Sequence, residues 1–173
     1  MNADSKILLF TGQVKSKEVV NPLAVFNKSL EDALALQNSG ELNGVIWSTW
    51  EHEEEEFVKT KLLQIPRGLN FTCISQPSLE DNGLGNIKAQ MSTFKSGVCL
   101  ASEAYSEDCL ILKSRPDGYI KPDFIKKVLN FDYSLHGDAK ILPHKIWTPW
   151  FNMLKPFYLE DSFFASKASG DRK

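Results

Sequence analysis

Apolar residues follow two rhythms along this chain. Some form short unbroken runs that stop at polar residues; others recur every third or fourth position. Ile7-Leu8-Leu9-Phe10 is a run of the first kind, closed by Thr11-Gly12, and its length suits a strand buried on both faces. From Pro22 to Gln37, Leu23, Phe26, Leu30, Ala33, Leu34 and Leu36 recur at helical spacing. Asn21 is placed to cap that helix with Pro22 at its first position, and Ser39-Gly40 to end it. Gly44 to Thr49 reads as a second buried strand, rich in β-branched residues. The acidic residues Glu51 and Glu53 to Glu56 then favour a helix start, with the Glu53–Glu56 run as its solvated face.

Leu69 to Ser75 alternates as a third strand, and Pro77 and the stretch Asp81-Asn82-Gly83-Leu84-Gly85 break regularity after it. Ile87, Met91, Phe94, Val98 and Ala101 define the next helix, in which Gly97 costs about 1 kcal/mol relative to alanine. Asp108 to Lys113 is a fourth strand ending at Arg115-Pro116-Asp117, and Pro122 to Asn130 a helix that starts on a proline. Lys140 to Trp147 and Phe157 to Ser166 carry apolar runs that read as strands with a loop between them. Strands alternating with helices predict an α/β fold: a mostly parallel central sheet with crossover helices, Rossmann-like in outline. Such sheets bind ligands outside the carboxyl ends of their strands, where the strand order reverses. The expected site is therefore drawn from Thr11-Gly12-Gln13, Ser48-Thr49-Trp50-Glu51, Ser75-Gln76 and Lys113 to Asp117.

Composition narrows the picture. A chain of 173 residues supports one core, so residues 1–168 read as a single α/β domain and 169–173 as a polar tail. An apolar fraction of 42% with 24% charged residues is that of a globular protein. A formal charge of −2 with scattered basic residues argues against a nucleic-acid partner. No run approaches the ~20 apolar residues of a membrane span, so no transmembrane segment is expected and the expected location is the cytoplasm. Cys73, Cys99 and Cys109 lack CxxC spacing and sit among apolar residues, which predicts buried free thiols. His136 and His144 fit no zinc motif and read as loop or core residues, and His52 has no partner histidine at metal-ligand spacing.

The sharpest chemistry follows the fourth strand. In extended backbone, residues two apart share a face, so Lys113, Arg115 and Asp117 could face one cleft. Two cations suit the oxygens of a polyphosphate, and the carboxylate a divalent metal or a sugar hydroxyl. The competing reading is a surface turn with an exposed ion pair. Gly12 offers close backbone approach and Gln13 an amide, although Thr11-Gly12-Gln13 is neither a GxGxxG nor a Walker loop and, taken by itself, reads first as a structural turn. Trp50 could stack on a base or sit at the edge of the core, and Glu51 could bind a ribose or sugar. Asp161, set among aromatic residues in Leu159 to Phe164, is either a site carboxylate or a helix cap. No GxSxG hydrolase signature is present.

Taken in order, the stretches ILLFTGQV (7–14), VIWSTWE (45–51), NIKAQ (86–90), LILKSRPD (110–117) and LEDSFFASK (159–167) resemble the WavE-type lipopolysaccharide-synthesis proteins, a bacterial glycosyltransferase-like family. The resemblance implies a nucleotide-diphospho-sugar transferase fold that builds surface polysaccharide or lipopolysaccharide. It implies a nucleotide-diphospho-sugar donor and a glycan or lipid-linked acceptor, met in the cytoplasm or at the inner face of the membrane. By position, Thr11, Gly12, Gln13, Thr49, Trp50, Glu51, Gln90, Lys113 and Arg115 would bind the donor, and Asp117 and Asp161 would be the catalytic carboxylates. Asp117 would hold Mn2+ or Mg2+ where such transferases carry an acidic motif. Two departures bear on this. Asp117 stands alone among cations, so Lys113 and Arg115 could neutralise a diphosphate unaided. The chain also stops soon after LEDSFFASK, which leaves a truncated or non-catalytic nucleotide-sugar-binding module as the alternative.

Overall fold

A computed structural model of the chain describes residues 5–14, 20–83, 86–130 and 163–167. The strand predicted over 140–147, His136, His144, Asp161 and the tail 169–173 lie outside the described residues. In chain order the elements are β1 (Lys6–Thr11), α1 (Pro22–Asn38), β2 (Gly44–Trp50), α2 (Glu51–Glu53), β3 (Phe71–Gln76), α3 (Ile87–Ala104), β4 (Leu110–Ser114), α4 (Pro122–Leu129) and β5 (Phe163–Lys167). α2 is one turn that widens into a π-helical stretch over Glu54–Lys59. The protein is an α/β fold with the sheet order β3-β2-β1-β4-β5, in which β1 to β4 are parallel and β5 runs antiparallel to β4.

Period-two alternation divides the central strands between two apolar layers. Leu8, Phe10, Val45, Trp47, Leu110 and Leu112 face α1, the π-helical stretch and α4, meeting Phe26, Leu30, Phe57 and Ile125. Ile7, Leu9, Ile46 and Ile111 face the other way and meet Val98 and Ala101 of α3. Phe26 sits edge-on to both Phe10 and Trp47, at centroid distances of 5.0 and 5.1 Å. Such pairs add about 0.5–1.5 kcal/mol each beyond their burial. The helix starts follow local rules: the Asn21 side chain accepts from Ala24 N at 3.2 Å, and Pro22 and Pro122 occupy first-turn positions where no N–H is needed.

The chain steps outward from β1 to β2 to β3 with its connecting helices on one layer. It then crosses back as α3 on the other layer to place β4 against the far side of β1. That crossing brings α3 close to the sheet at Gly97, where an added Cβ would lie 2.4 Å from Leu9 Cδ1 and 3.2 Å from Ser48 Cβ. The glycine that weakens the helix locally is what lets it dock. Eighteen helical residues rise about 27 Å, more than strands of five to seven residues span, so α3 overhangs the strand ends. This overhang explains a difference from the apolar pattern: Ile87 and Met91, expected on the packed face, are 58% and 60% exposed.

Replacing Gly97 with alanine separates the two effects. Helix propensity alone predicts stabilisation of about 1 kcal/mol. Overpacking against fully buried Leu9 costs about 1–3 kcal/mol. The expected result is a net loss of stability, read as a lower denaturation midpoint in urea at unchanged slope.

Candidate functional site

Where β1 and β4 diverge at their carboxyl ends, a cleft of about 330 Å³ opens beneath the overhanging start of α3. Its floor is set by alternation. Thr11, Trp50 and Lys113 fall on the α3 side of their strands, and all three line the cleft. Gly12 and Gln13 continue from β1, Arg115 follows β4, and Asn86 and Gln90 of the α3 start close the opposite wall. Ser78 and Asn82, from the loop between β3 and α3, complete the polar rim.

The exit from β1 is rigidly held. Gly12 adopts φ +90°, a conformation that only glycine takes without strain. Its N–H donates to the Ser48 carbonyl at 3.0 Å, and its own carbonyl accepts from Trp47 Nε1 at 3.1 Å and Thr49 Oγ1 at 3.0 Å. Two residues further on, Val14 N–H donates to Glu53 Oε2 at 2.9 Å. Trp47 thus joins the aromatic core to the loop that shapes the cleft. Each such bond contributes about 1 kcal/mol, and leaving a buried carbonyl unpaired would cost more.

Charge is concentrated at the β4 end. Lys113 is only 4% exposed, and its neighbour across the sheet is Leu9 of β1. After Ser114 the chain does not stay extended: Gly118 N–H donates to the Arg115 carbonyl at 3.1 Å, closing a turn over Pro116-Asp117. The turn curls Asp117 back on Arg115, whose Nε and Nη2 donate to the two carboxylate oxygens at 3.0 and 2.8 Å. Such a bidentate pair fixes the guanidinium plane.

Seven of the residues expected to bind a donor line the cleft: Thr11, Gly12, Gln13, Trp50, Gln90, Lys113 and Arg115. Thr49 does not, because alternation turns it to the opposite face, where it is fully buried and holds Gly12. Glu51 is exposed at the first position of α2, outside the cleft lining. Asp117 is also outside the lining, buried against Arg115 and not facing the cleft alongside it. Both of its oxygens accept from a guanidinium, so a divalent cation there would meet a positive group. No group of three His, Cys, Asp or Glu side chains converges on a metal position among the described residues. The residues present do not fit Mn2+ or Mg2+ held by Asp117.

The Glu53–Glu56 run is not a uniformly solvated face. Glu53 is 1% exposed and anchors Val14, and the Glu54 carboxylate takes a hydrogen bond from the Ser75 hydroxyl. The π-helical widening shifts the register of this acidic run, so helical spacing could not reveal which glutamate points inward. Ser78 and Asn82 come from irregular backbone, where only the general preference for polar loops marked them, and Asn86 is the N-cap residue of α3. Of the thiols, Cys109 is fully buried, while Cys73 and Cys99 are partly covered.

No protein-family model matches this chain, and no curated protein matches it either. No described helix is long and apolar enough to cross a membrane. Fold and site together define an α/β protein with a cationic cleft at the switch point of its sheet.

Cys73 offers a check on the packing of β3 against the layer of α1. Burial, reinforced by the Glu54 carboxylate, pushes its thiol up to about 12 from an ordinary 9.0. At pH 8 its thiolate fraction is then about a thousandfold below that of a free thiol. Iodoacetamide at pH 8 should leave Cys73 unmodified in the folded protein, and peptide mapping after alkylation with and without urea reads the difference.

Proposed function

We propose that the cleft holds the diphosphate of a nucleotide-diphospho-sugar and that the protein transfers the sugar to a surface polysaccharide or lipopolysaccharide acceptor. The observation that carries this reading is the placement of Lys113 and Arg115 together in a lining whose other described side chains are all uncharged. Both cations stand at the switch point, the position at which open α/β sheets bind nucleotides. The start of α3 adds the positive end of a helix dipole to the same wall. Trp50 supplies an aromatic surface, and Gln13, Asn82, Asn86 and Gln90 supply amides for base, ribose or sugar hydroxyls. The ordered resemblance to glycosyltransferase-like proteins supports the same class of donor.

In this reading the diphosphate is a leaving group. As the bond from the anomeric carbon to the phosphate oxygen breaks, negative charge grows on the diphosphate, and fixed cations stabilise it more in the transition state than in the ground state. Charge compensation comes from Lys113 and Arg115, with Asp117 holding Arg115 in plane. Asp161 would face the sugar or acceptor. The reaction would take place in the cytoplasm or at the inner face of the membrane, where a glycan or lipid-linked acceptor is met. A non-catalytic module that binds the same donor is the second reading, favoured by the lack of a carboxylate among the described lining residues.

Calorimetric titration with UDP, GDP, CDP and ADP tests the binding step. At least one should bind, and Arg115→Ala should weaken it about 10–100-fold, the loss of a charge-assisted contact of about 1.5–3 kcal/mol. Asp117→Asn, which leaves Arg115 without its bidentate partner, should weaken it by a smaller factor. If no nucleotide binds, or if Arg115→Ala changes nothing, the proposal fails. Sugar transfer or donor hydrolysis by the purified protein would decide between the catalytic and the non-catalytic reading.

A further inference from the structure

Beside the cleft, two elements distant in sequence bring together three groups suited to moving a proton. Ser78, on the loop after β3, lines the cleft, and its Oγ lies 3.2 Å from His52 Nδ1. On the other side of the ring, His52 Nε2 lies 3.8 Å from Glu53 Oε1. Glu53 is almost completely buried and is pinned through its second oxygen to Val14 N–H. A carboxylate facing Nε2 favours the tautomer with its proton there, which leaves the Nδ1 lone pair to accept from the Ser78 hydroxyl.

We infer that Ser78 and His52 form the proton relay for the acceptor hydroxyl, with Glu53 as the positioning residue behind them. This rests on the donor reading of the cleft and adds the base that its described lining lacks. The acceptor O–H gives its proton to Ser78 Oγ as the Ser78 proton passes to His52 Nδ1. The acceptor oxygen forms its bond to the anomeric carbon, and the carbon–oxygen bond to the diphosphate breaks. The electron pair of that bond leaves on the diphosphate, which faces Lys113 and Arg115. The imidazolium formed faces the Glu53 carboxylate, and the proton is later lost to water through the half-exposed ring. Leaving-group charge and accepted proton are thus handled by separate groups of one cleft: the cations at the β4 end, and the His52–Ser78 pair beside β2 and β3.

Solvent exposure of His52 and Ser78 makes substitutions there tolerable to the fold. The test uses the nucleotide diphosphate that binds in calorimetry and its sugar-bearing form, with water standing in for the acceptor hydroxyl and 31P NMR following release of the diphosphate. His52→Gln should lower the rate about a hundredfold or more and keep nucleotide affinity within about twofold. Ser78→Ala should lower the rate with the same retained affinity. Unchanged turnover in His52→Gln overturns the relay, as does a parallel loss of affinity and rate in both variants. A wild type that binds nucleotide but releases nothing from the sugar donor also overturns it. Absence of nucleotide binding in the wild type has a different meaning: the donor reading itself then falls, and the relay with it.

Discussion

Everything at the site depends on the return of the chain across the sheet. From β1 to β3 chain order and strand order agree, and the connecting helices cover one layer. The next strand cannot continue outward and still cover the second face of β1. The chain comes back as α3 on the opposite layer and delivers β4 beside β1. The strand order reverses between β1 and β4, and their carboxyl ends meet the cleft beneath the start of α3, on the layer that α1 and α4 leave to it. Gly97 sets how deep that cleft is, because it lets α3 settle onto Leu9 and Ser48 while the start of the helix projects past the strand ends.

Within that cleft, alternation selects the chemistry. Thr11, Trp50 and Lys113 reach the cleft because they share the α3 side of three neighbouring strands. Thr49 and Ser114 fall on the other side and serve packing and loop anchoring instead. A shift of one residue in the register of β4 would bury Ser114 under α3 and turn Lys113 toward the layer of α1 and α4. The present register, with Leu110 and Leu112 on one face and Ile111 on the other, is what places the cation on the side of α3.

Much of this was legible in the chain because it rests on local rules. Buried strands announce themselves as unbroken apolar runs, Asn21-Pro22 as a capped start, and the strand-end rule picks out Thr11 to Gln13 and Lys113 to Arg115 without any structure. What escaped depends on geometry that no local rule carries. Sequence places Thr49, Trp50 and Glu51 together at one strand end, although a strand and then a helix turn send the three side chains to different places. Asp117 looked like the third member of an alternating series, but the turn closed by Gly118 ends the alternation at Arg115. Glu53 was hidden in an acidic run that passes from the turn of α2 into the π-helical stretch, so no single helical period runs through it. His52 and Ser78 meet only because β2 and β3 are neighbours in the sheet, a pairing that lies far beyond sequence spacing.

The fate of Asp117 changes what the cluster after β4 can do. Had its carboxylate shared the cleft with Lys113 and Arg115, the three charges would have competed for one another and for a metal. Folded back instead, Asp117 takes the Nε and Nη2 edge of the guanidinium outside the lining, and Lys113 and Arg115 line the cleft without it. An arginine held in plane loses less conformational freedom when an anion arrives than one that must be ordered by the ligand. The carboxylate therefore acts at one remove, through the orientation of Arg115. A similar division is found beside the cleft, where buried Glu53 holds Val14 and faces His52, which in turn lies against Ser78 of the lining. In both places a buried acid holds a side chain that is itself about half exposed.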